Sequence, residues 1–143
     1  MTNQLKKYDV FEILDKVCAA KTKKDKINIL REYDLMPVRD ILQGMFDDRI
    51  QWNLPGGVPP YTPNRPESVP SNLMRQHLKF KFFVKGLRDS ERLSSLKRER
   101  MFIDLLETVH PKDAELVLSM VNKTPLKGLT KTLVQEAFPD LIP

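Results

Sequence analysis

The sequence of 143 residues fits one domain, and a chain of this length can bury one hydrophobic core without disulfides. Hydrophobic residues make up 41% of the sequence and aromatic residues 8%, a composition that excludes a disordered low-complexity chain. The net charge is +5 and it is concentrated: residues 75–100 hold nine Lys or Arg and three acids, a balance that favours polyanionic partners.

Three helices are predicted in the first 46 residues. The first has an apolar stripe at helical spacing, made of Val10, Phe11, Leu14, Val17 and Cys18. Thr22 is a predicted N-cap for the second helix. The third begins near Pro37, because proline is tolerated in a first helical turn.

Residues 47–71 are predicted to form one long irregular loop inside the single domain 1–143. They contain six of the eleven prolines and two of the five glycines, which break both helical and strand patterns. Trp52 and Tyr61 have two open interpretations. They either anchor the loop to the core or contact a partner protein, because aromatic side chains often supply interface energy.

The second half is predicted to be helical again. Residues 71–90 are predicted to form one helix capped by Ser71 or Asn72, with His77 on its surface. If that helix continues through Gly86, four cations share one of its faces: Lys81, Lys85, Arg88 and Arg92. Further helices follow, with Pro111 opening one after a capping His110 and Thr130 capping the last. We therefore expect an all-α, single compact domain of about six or seven helices.

Catalytic and metal-binding motifs are not found in the sequence. The two histidines lack the spacing of a zinc site, and the nucleotide-binding glycine motifs and GxSxG are missing. We therefore predict no metal site, no cofactor, no small-molecule substrate and no enzymatic activity. No stretch approaches the roughly 20 apolar residues of a membrane helix, so no membrane association is expected. The single cysteine cannot form an internal disulfide, which suits a reducing compartment.

Two basic segments are the remaining functional signal. The first contains Lys81, Lys85, Arg88, Arg92, Lys97 and Arg98, which either contact phosphates or form a solvated helix face. The second is the run from Lys127 to Lys131. There a helix N-terminus beside two lysines suits a phosphate, and Gly128 permits close backbone approach. The alternative for this run is a capped helix with two surface lysines.

The two ends of the sequence carry a resemblance. The runs "FEILDKVCAAKTKKDKINILREY" (11–33) and "FIDLLETVHPKDAELVLSMVNKTPLKGLTKTLVQEAFPDLIP" (102–143) resemble the N-terminal DNA-binding domain of the small ATP-dependent DNA ligases of T-even bacteriophages. The likeness covers about half of the chain, and residues 47–75 do not match it. The whole chain also looks like small proteins without an assigned function encoded by T-even-like phages of cyanobacteria.

The ligase resemblance implies an all-helical module that holds duplex DNA through its backbone. It assigns Lys127, Gly128, Leu129, Thr130 and Lys131 to a turn that approaches phosphate, and does not assign Lys81 or Arg88. Ligases form a lysyl-adenylate at a Lys-x-Asp-Gly motif, which this sequence lacks, so the chain is not expected to ligate.

Two functions are therefore predicted. The first is a non-catalytic, phage-encoded module that contacts duplex DNA phosphates without sequence specificity. The alternative is a protein-interaction or virion-accessory protein that docks on a phage replication or virion protein through its basic helix and its Pro-rich loop. The expected location is the host cytoplasm, or the virion under the second hypothesis.

Overall fold

The computed structural model describes residues 8–143, and their secondary structure is helical, as the sequence predicts. The eight α-helices are α1 (Val10–Ala19), α2 (Lys23–Glu32), α3 (Met36–Phe46), α4 (Leu73–Gln76), α5 (Arg88–Glu91), α6 (Ser95–Leu106), α7 (Pro111–Val121) and α8 (Lys131–Ala137). A 3-10 helix, His77–Phe83, lies between α4 and α5. The all-α fold class is confirmed. None of the described helices has the length and apolarity needed to cross a bilayer.

Side chains and prolines define the helix ends largely as predicted. The Thr22 hydroxyl accepts a hydrogen bond from the Asp25 amide at 3.1 Å, and Pro37 lies in the first turn of α3. His110 caps α7, because its Nδ1 accepts from the Lys112 amide at 3.0 Å. Thr130 Oγ1 accepts from the Leu133 amide at 3.2 Å at the start of α8. Each bond satisfies an amide that the first helical turn leaves unpaired.

The predicted single helix over 71–90 is wrong. Asn72 caps a helix of only four residues, the 3-10 helix follows, and Gly86 turns the chain with a φ of +93°. The cause is pairing with residues 51–53: the Asn53 amide donates to the Phe83 carbonyl at 2.6 Å, and the Lys85 amide donates to the Gln51 carbonyl at 2.7 Å. These bonds take up backbone groups that a continuous helix would have paired internally.

One hydrophobic core holds the helices together. α1 packs against α2 and α7, α3 packs against α7, and α2 packs against α8. Apolar residues from α1, α3, α6, α7 and α8 are buried in this cluster, as are Leu73, Phe80 and Phe83. Burial of apolar area is the main favourable contribution to folding, and here it joins the first and the last of the described helices in one core.

The loop over residues 47–71 is fastened to the core and to helix ends. The Trp52 Nε1 group donates to the Gly44 carbonyl at 3.1 Å, and Trp52 and Tyr61 pack against the buried cluster. The Asn64 side chain donates to the Val109 carbonyl at 2.7 Å, and the Gly57 amide donates to the Asn122 side chain at 2.8 Å. The structure therefore supports the interpretation of this loop as a wrap over the core.

Gly44 allows α3, α7 and the Trp52 indole to meet. A β-carbon at this position would lie 2.6 Å from Trp52 Cζ2 and 2.7 Å from Met120 Sδ. Gly44→Ala gains up to about 1 kcal/mol of helix propensity. We expect overpacking to exceed that gain and to lower the free energy of unfolding by about 1–2 kcal/mol. Urea denaturation measures this change, and a variant more stable than wild type would contradict the tight contact.

Candidate nucleic-acid interface

Residues 84–100, which we call the basic lobe, carry five of the eight exposed cations of the basic segment 75–100. The lobe contains α5, the first half of α6 and the turns beside them. Five of its cations are exposed and have no ion pair with any residue in the range 8–143; they are Lys85, Arg88, Arg92, Lys97 and Arg100. Unpaired surface cations of this kind can neutralise phosphates without first breaking an internal contact.

Two acids of the basic lobe are engaged in contacts. Asp89 lies 3.7 Å from the Lys81 ammonium group. Glu91 Oε2 accepts from the Gly86 amide at 3.0 Å and from the Asn53 side chain at 3.0 Å. These contacts fix the turn at Gly86 and attach the lobe to the loop over 47–71. The lobe keeps a formal charge of +3, with six cations and three acids.

Arg98 is buried within the basic lobe, and its predicted place among the exposed cations is wrong. Its residue exposure is 7%, and its Nη2 group donates to the carbonyls of Ser90 and Leu93, both at 2.8 Å. The guanidinium therefore joins the end of α5 to α6 from inside. Hydrogen bonds from a charged donor are stronger than neutral ones, so Arg98 maintains the shape of the lobe.

The predicted alignment of four cations on one helical face is also wrong. Lys81 belongs to the 3-10 helix, Lys85 precedes the Gly86 turn, and Arg88 lies in α5 with Arg92 directly after it. Lys85, Arg88 and Arg92 stay exposed, but the turn at Gly86 interrupts the helical repeat that was expected to align them. Lys81 forms an ion pair with Asp89, so its charge is partly compensated.

The turn from Lys127 to Lys131 packs against α1 and α2. Gly128 has a φ of +98°, its carbonyl accepts from Lys26 Nζ at 2.8 Å, and an added β-carbon would lie 3.3 Å from the Cys18 backbone. Leu129 is buried, so its side chain belongs to the core. Lys131 Nζ lies 3.4 Å from Asp48 Oδ2.

Internal contacts therefore use most of this predicted phosphate turn. Thr130 caps α8, which has seven residues, and Lys131 has an acidic partner. Lys127 remains exposed, with no ion pair to any of the residues that the structure describes. α8 packs against α2, whereas the basic lobe contacts residues 51–53, so different parts of the fold hold the two basic segments.

The predicted surface position of His77 is wrong as well. Its side chain is buried, and its Nδ1 lies 2.6 Å from Asp40 Oδ2 in α3. This pair was missed from the sequence, because Asp40 and His77 are far apart in the chain. The spacing of the apolar residues around position 77 could have suggested burial, but no local pattern indicates which acid is the partner.

The described residues form a small all-α domain whose basic lobe exposes five cations and is held by the internal hydrogen bonds of Arg98 and Glu91. The chain belongs to DUF6433, a family of unknown function whose match spans residues 13–127. That range includes the loop and the basic lobe, and α8 lies beyond it. Among curated proteins none matches the chain.

Proposed function

We propose that the protein is a non-catalytic module that binds duplex DNA through phosphate contacts without sequence preference. The observation that carries the proposal is the set of five exposed, unpaired cations within residues 85–100. Exposed cations within one short stretch of the fold can contact phosphates and release their condensed counterions. The likeness of both chain ends to a ligase DNA-binding domain supports the same function and stays a prediction.

The proposed contact surface differs from the one expected from the sequence. Lys85, Arg88, Arg92, Lys97 and Arg100 would contact phosphates, while Arg98 would maintain the lobe from inside. Lys127 would add a separate contact only on DNA long enough to reach the terminal turn. Phosphate contacts set position and affinity but carry no base identity, so similar affinity for unrelated duplexes is expected.

Salt dependence of binding tests the proposal directly. Five phosphate contacts predict that log Kobs falls with log salt concentration with a slope of about −4.5. Fluorescence anisotropy of labelled duplexes of two unrelated sequences, between low and moderate salt, measures the slope and the sequence preference. A slope near zero, or binding to one duplex only, would contradict sequence-independent phosphate binding.

A second candidate function is docking on an acidic surface of a protein, such as a phage replication or virion protein. Two leucines of the basic lobe favour it: Leu87 is 44% exposed and Leu96 is 69% exposed. Phosphates make no use of apolar side chains, whereas protein interfaces combine apolar contacts with cations. Pull-down from infected cells with and without nuclease separates the two functions, because only a protein partner stays bound after the DNA is degraded.

A further inference from the structure

A groove lies beside the basic lobe, between α3, the 3-10 helix and residues 50–52. Its volume is about 240 Å³. Apolar side chains make up much of its lining, and polar groups stand among them; the residues that matter below are Asp40, Gln43, Trp52, His77, Leu78 and Lys81. A slot with aromatic and apolar walls and a few polar groups is typical of sites for small flat molecules.

The indole of Trp52 supplies an aromatic wall to this groove. Its Nε1 group donates to the Gly44 carbonyl at 3.1 Å, and its ring meets Phe80 edge to face with centroids 6.3 Å apart. These contacts fix the ring in the groove before any ligand binds. Trp52 is half-buried and lines the groove, where its ring would stack on a flat ligand.

The pair of His77 and Asp40 supplies polar groups to the lining of the groove. An ionised carboxylate only accepts hydrogen bonds, so the contact of 2.6 Å is a hydrogen bond in the tautomer that carries the proton on His77 Nδ1. His77 Nε2 makes no hydrogen bond to any residue in the range 8–143. It accepts a hydrogen bond when the ring is neutral and donates one when the ring is charged. Gln43 adds an amide whose Nε2 donates to Asp47 Oδ2 at 3.5 Å and whose oxygen can accept a hydrogen bond.

The groove and the basic lobe are continuous along the chain. Val84 lines the groove and forms an isolated antiparallel β-bridge with Trp52. The exposed Lys85 follows it directly in the chain. Lys81 also lines the groove and reaches Asp89 in α5. A strand whose phosphates lie on the lobe can therefore reach the groove, because the exposed Lys85 directly follows the lining residue Val84.

From this arrangement we infer that the groove receives one unpaired nucleobase of a DNA strand held by the basic lobe. The inference rests on the proposed duplex binding and adds to it a contact with an unpaired base, as in a gap, a flap or a single strand. The base would stack on Trp52 and place its hydrogen-bonding edge toward Gln43 and His77. Stacking tolerates any base, because every base has a flat π-face.

Trp52 is the single tryptophan of the chain, so its fluorescence reports on the groove alone. Wild-type protein is titrated with an oligothymidine of 15 residues, with thymidine monophosphate and with a blunt duplex of equal length. We expect quenching by the oligonucleotide, and an affinity for it at least tenfold above that for the mononucleotide, because only the strand reaches the lobe as well.

Leu78→Glu tests the location of the site. Leu78 is 67% exposed at the groove, so the fold should accept the change, and a carboxylate there should repel the strand. Val58→Glu is the matched control, since Val58 is 72% exposed in the long loop and does not line the groove. We expect Leu78→Glu to weaken oligothymidine binding about tenfold relative to Val58→Glu. Circular dichroism confirms that both variants are folded.

Each alternative result has a defined meaning. Unchanged Trp52 fluorescence with the oligonucleotide, while the duplex binds by anisotropy, overturns the groove assignment and leaves the proposed function intact. Equal quenching by the mononucleotide and the strand overturns the strand assignment in favour of a free nucleotide. Equal affinities of Leu78→Glu and Val58→Glu for the oligothymidine would show that the base binds outside the groove. If no DNA binds at all, both the proposed function and this inference are wrong.

Discussion

Replacing Arg92 and Lys97 together by glutamate is expected to weaken duplex DNA binding on the order of 100-fold. Both side chains are exposed on the basic lobe, and neither has an acidic partner in the part of the chain that the structure describes. A contact to a charged group contributes about 1.5–3 kcal/mol, so two lost contacts amount to about 3 kcal/mol. The slope of log Kobs against log salt should shrink by about 2.

The matched control is Lys21→Glu with Lys24→Glu. These two lysines are also exposed and unpaired among residues 8–143, and their replacement changes the net charge by the same amount. Long-range attraction responds to both double variants, whereas direct phosphate contact responds only to the lobe. Equal losses in the two variants would show that total charge, rather than the lobe, sets the affinity. The DNA affinity of Lys127→Glu, measured in parallel, shows whether the terminal turn contacts DNA.

Asp113→Asn is expected to stabilise the protein at neutral and alkaline pH. Asp113 is fully buried in α7, and burial raises its pKa to about 7, with the nearby charges of Asp9 and Glu12 adding to the effect. Its Oδ1 accepts from the Phe11 amide at 2.9 Å. Oδ2 has no hydrogen-bond partner among the described residues. An asparagine can keep the first contact and removes the buried charge.

The direction of the pH effect follows from proton binding. Between the unfolded pKa of 3.8 and the folded pKa of about 7, the folded state holds a proton that the unfolded state has lost. The free energy of unfolding contributed by Asp113 therefore falls as the pH rises through this window. A shift of this size corresponds to at most about 4 kcal/mol, which is the largest stabilisation expected for the variant above pH 7.

Urea denaturation of wild type and Asp113→Asn at pH 4.5, 6 and 8 measures this difference. The stability advantage of the variant should grow with pH and level off above 7. Asp104→Asn is the control, because Asp104 is exposed on α6 and its replacement should leave the pH dependence unchanged. A variant advantage that does not vary with pH would show that Asp113 is ionised in the folded state throughout this range.

Local sequence signals were sufficient for much of the fold. Thr22, His110 and Thr130 act as caps because their side chains bond to amides two or three residues away, and such contacts are visible in sequence. The region over 71–90 was predicted wrongly because its backbone pairs with Gln51 and Asn53. Such a long-range pairing overrides helix propensity and leaves no local pattern.

For the candidate site too, the residue types could be predicted from the sequence, whereas the contacts between distant residues could not. The concentration of cations between residues 75 and 100 was evident from the sequence, but their exposure was not. Arg98 is buried because two backbone carbonyls lie within its reach, and Lys131 is paired because Asp48 lies opposite to it. The partner of His77 likewise lies in α3, 37 residues earlier in the chain. Sequence gives the charge of such side chains, whereas their partners depend on the tertiary fold.

If the basic lobe binds DNA as proposed, the internal bonds of Arg98 also affect how the DNA is released. Mobile ions weaken attraction at the protein surface, but they hardly reach a buried guanidinium bonded to neutral carbonyls. Concentrated electrolyte should thus detach the ligand while the binding scaffold keeps its native geometry. Attachment and detachment can then alternate without any refolding step.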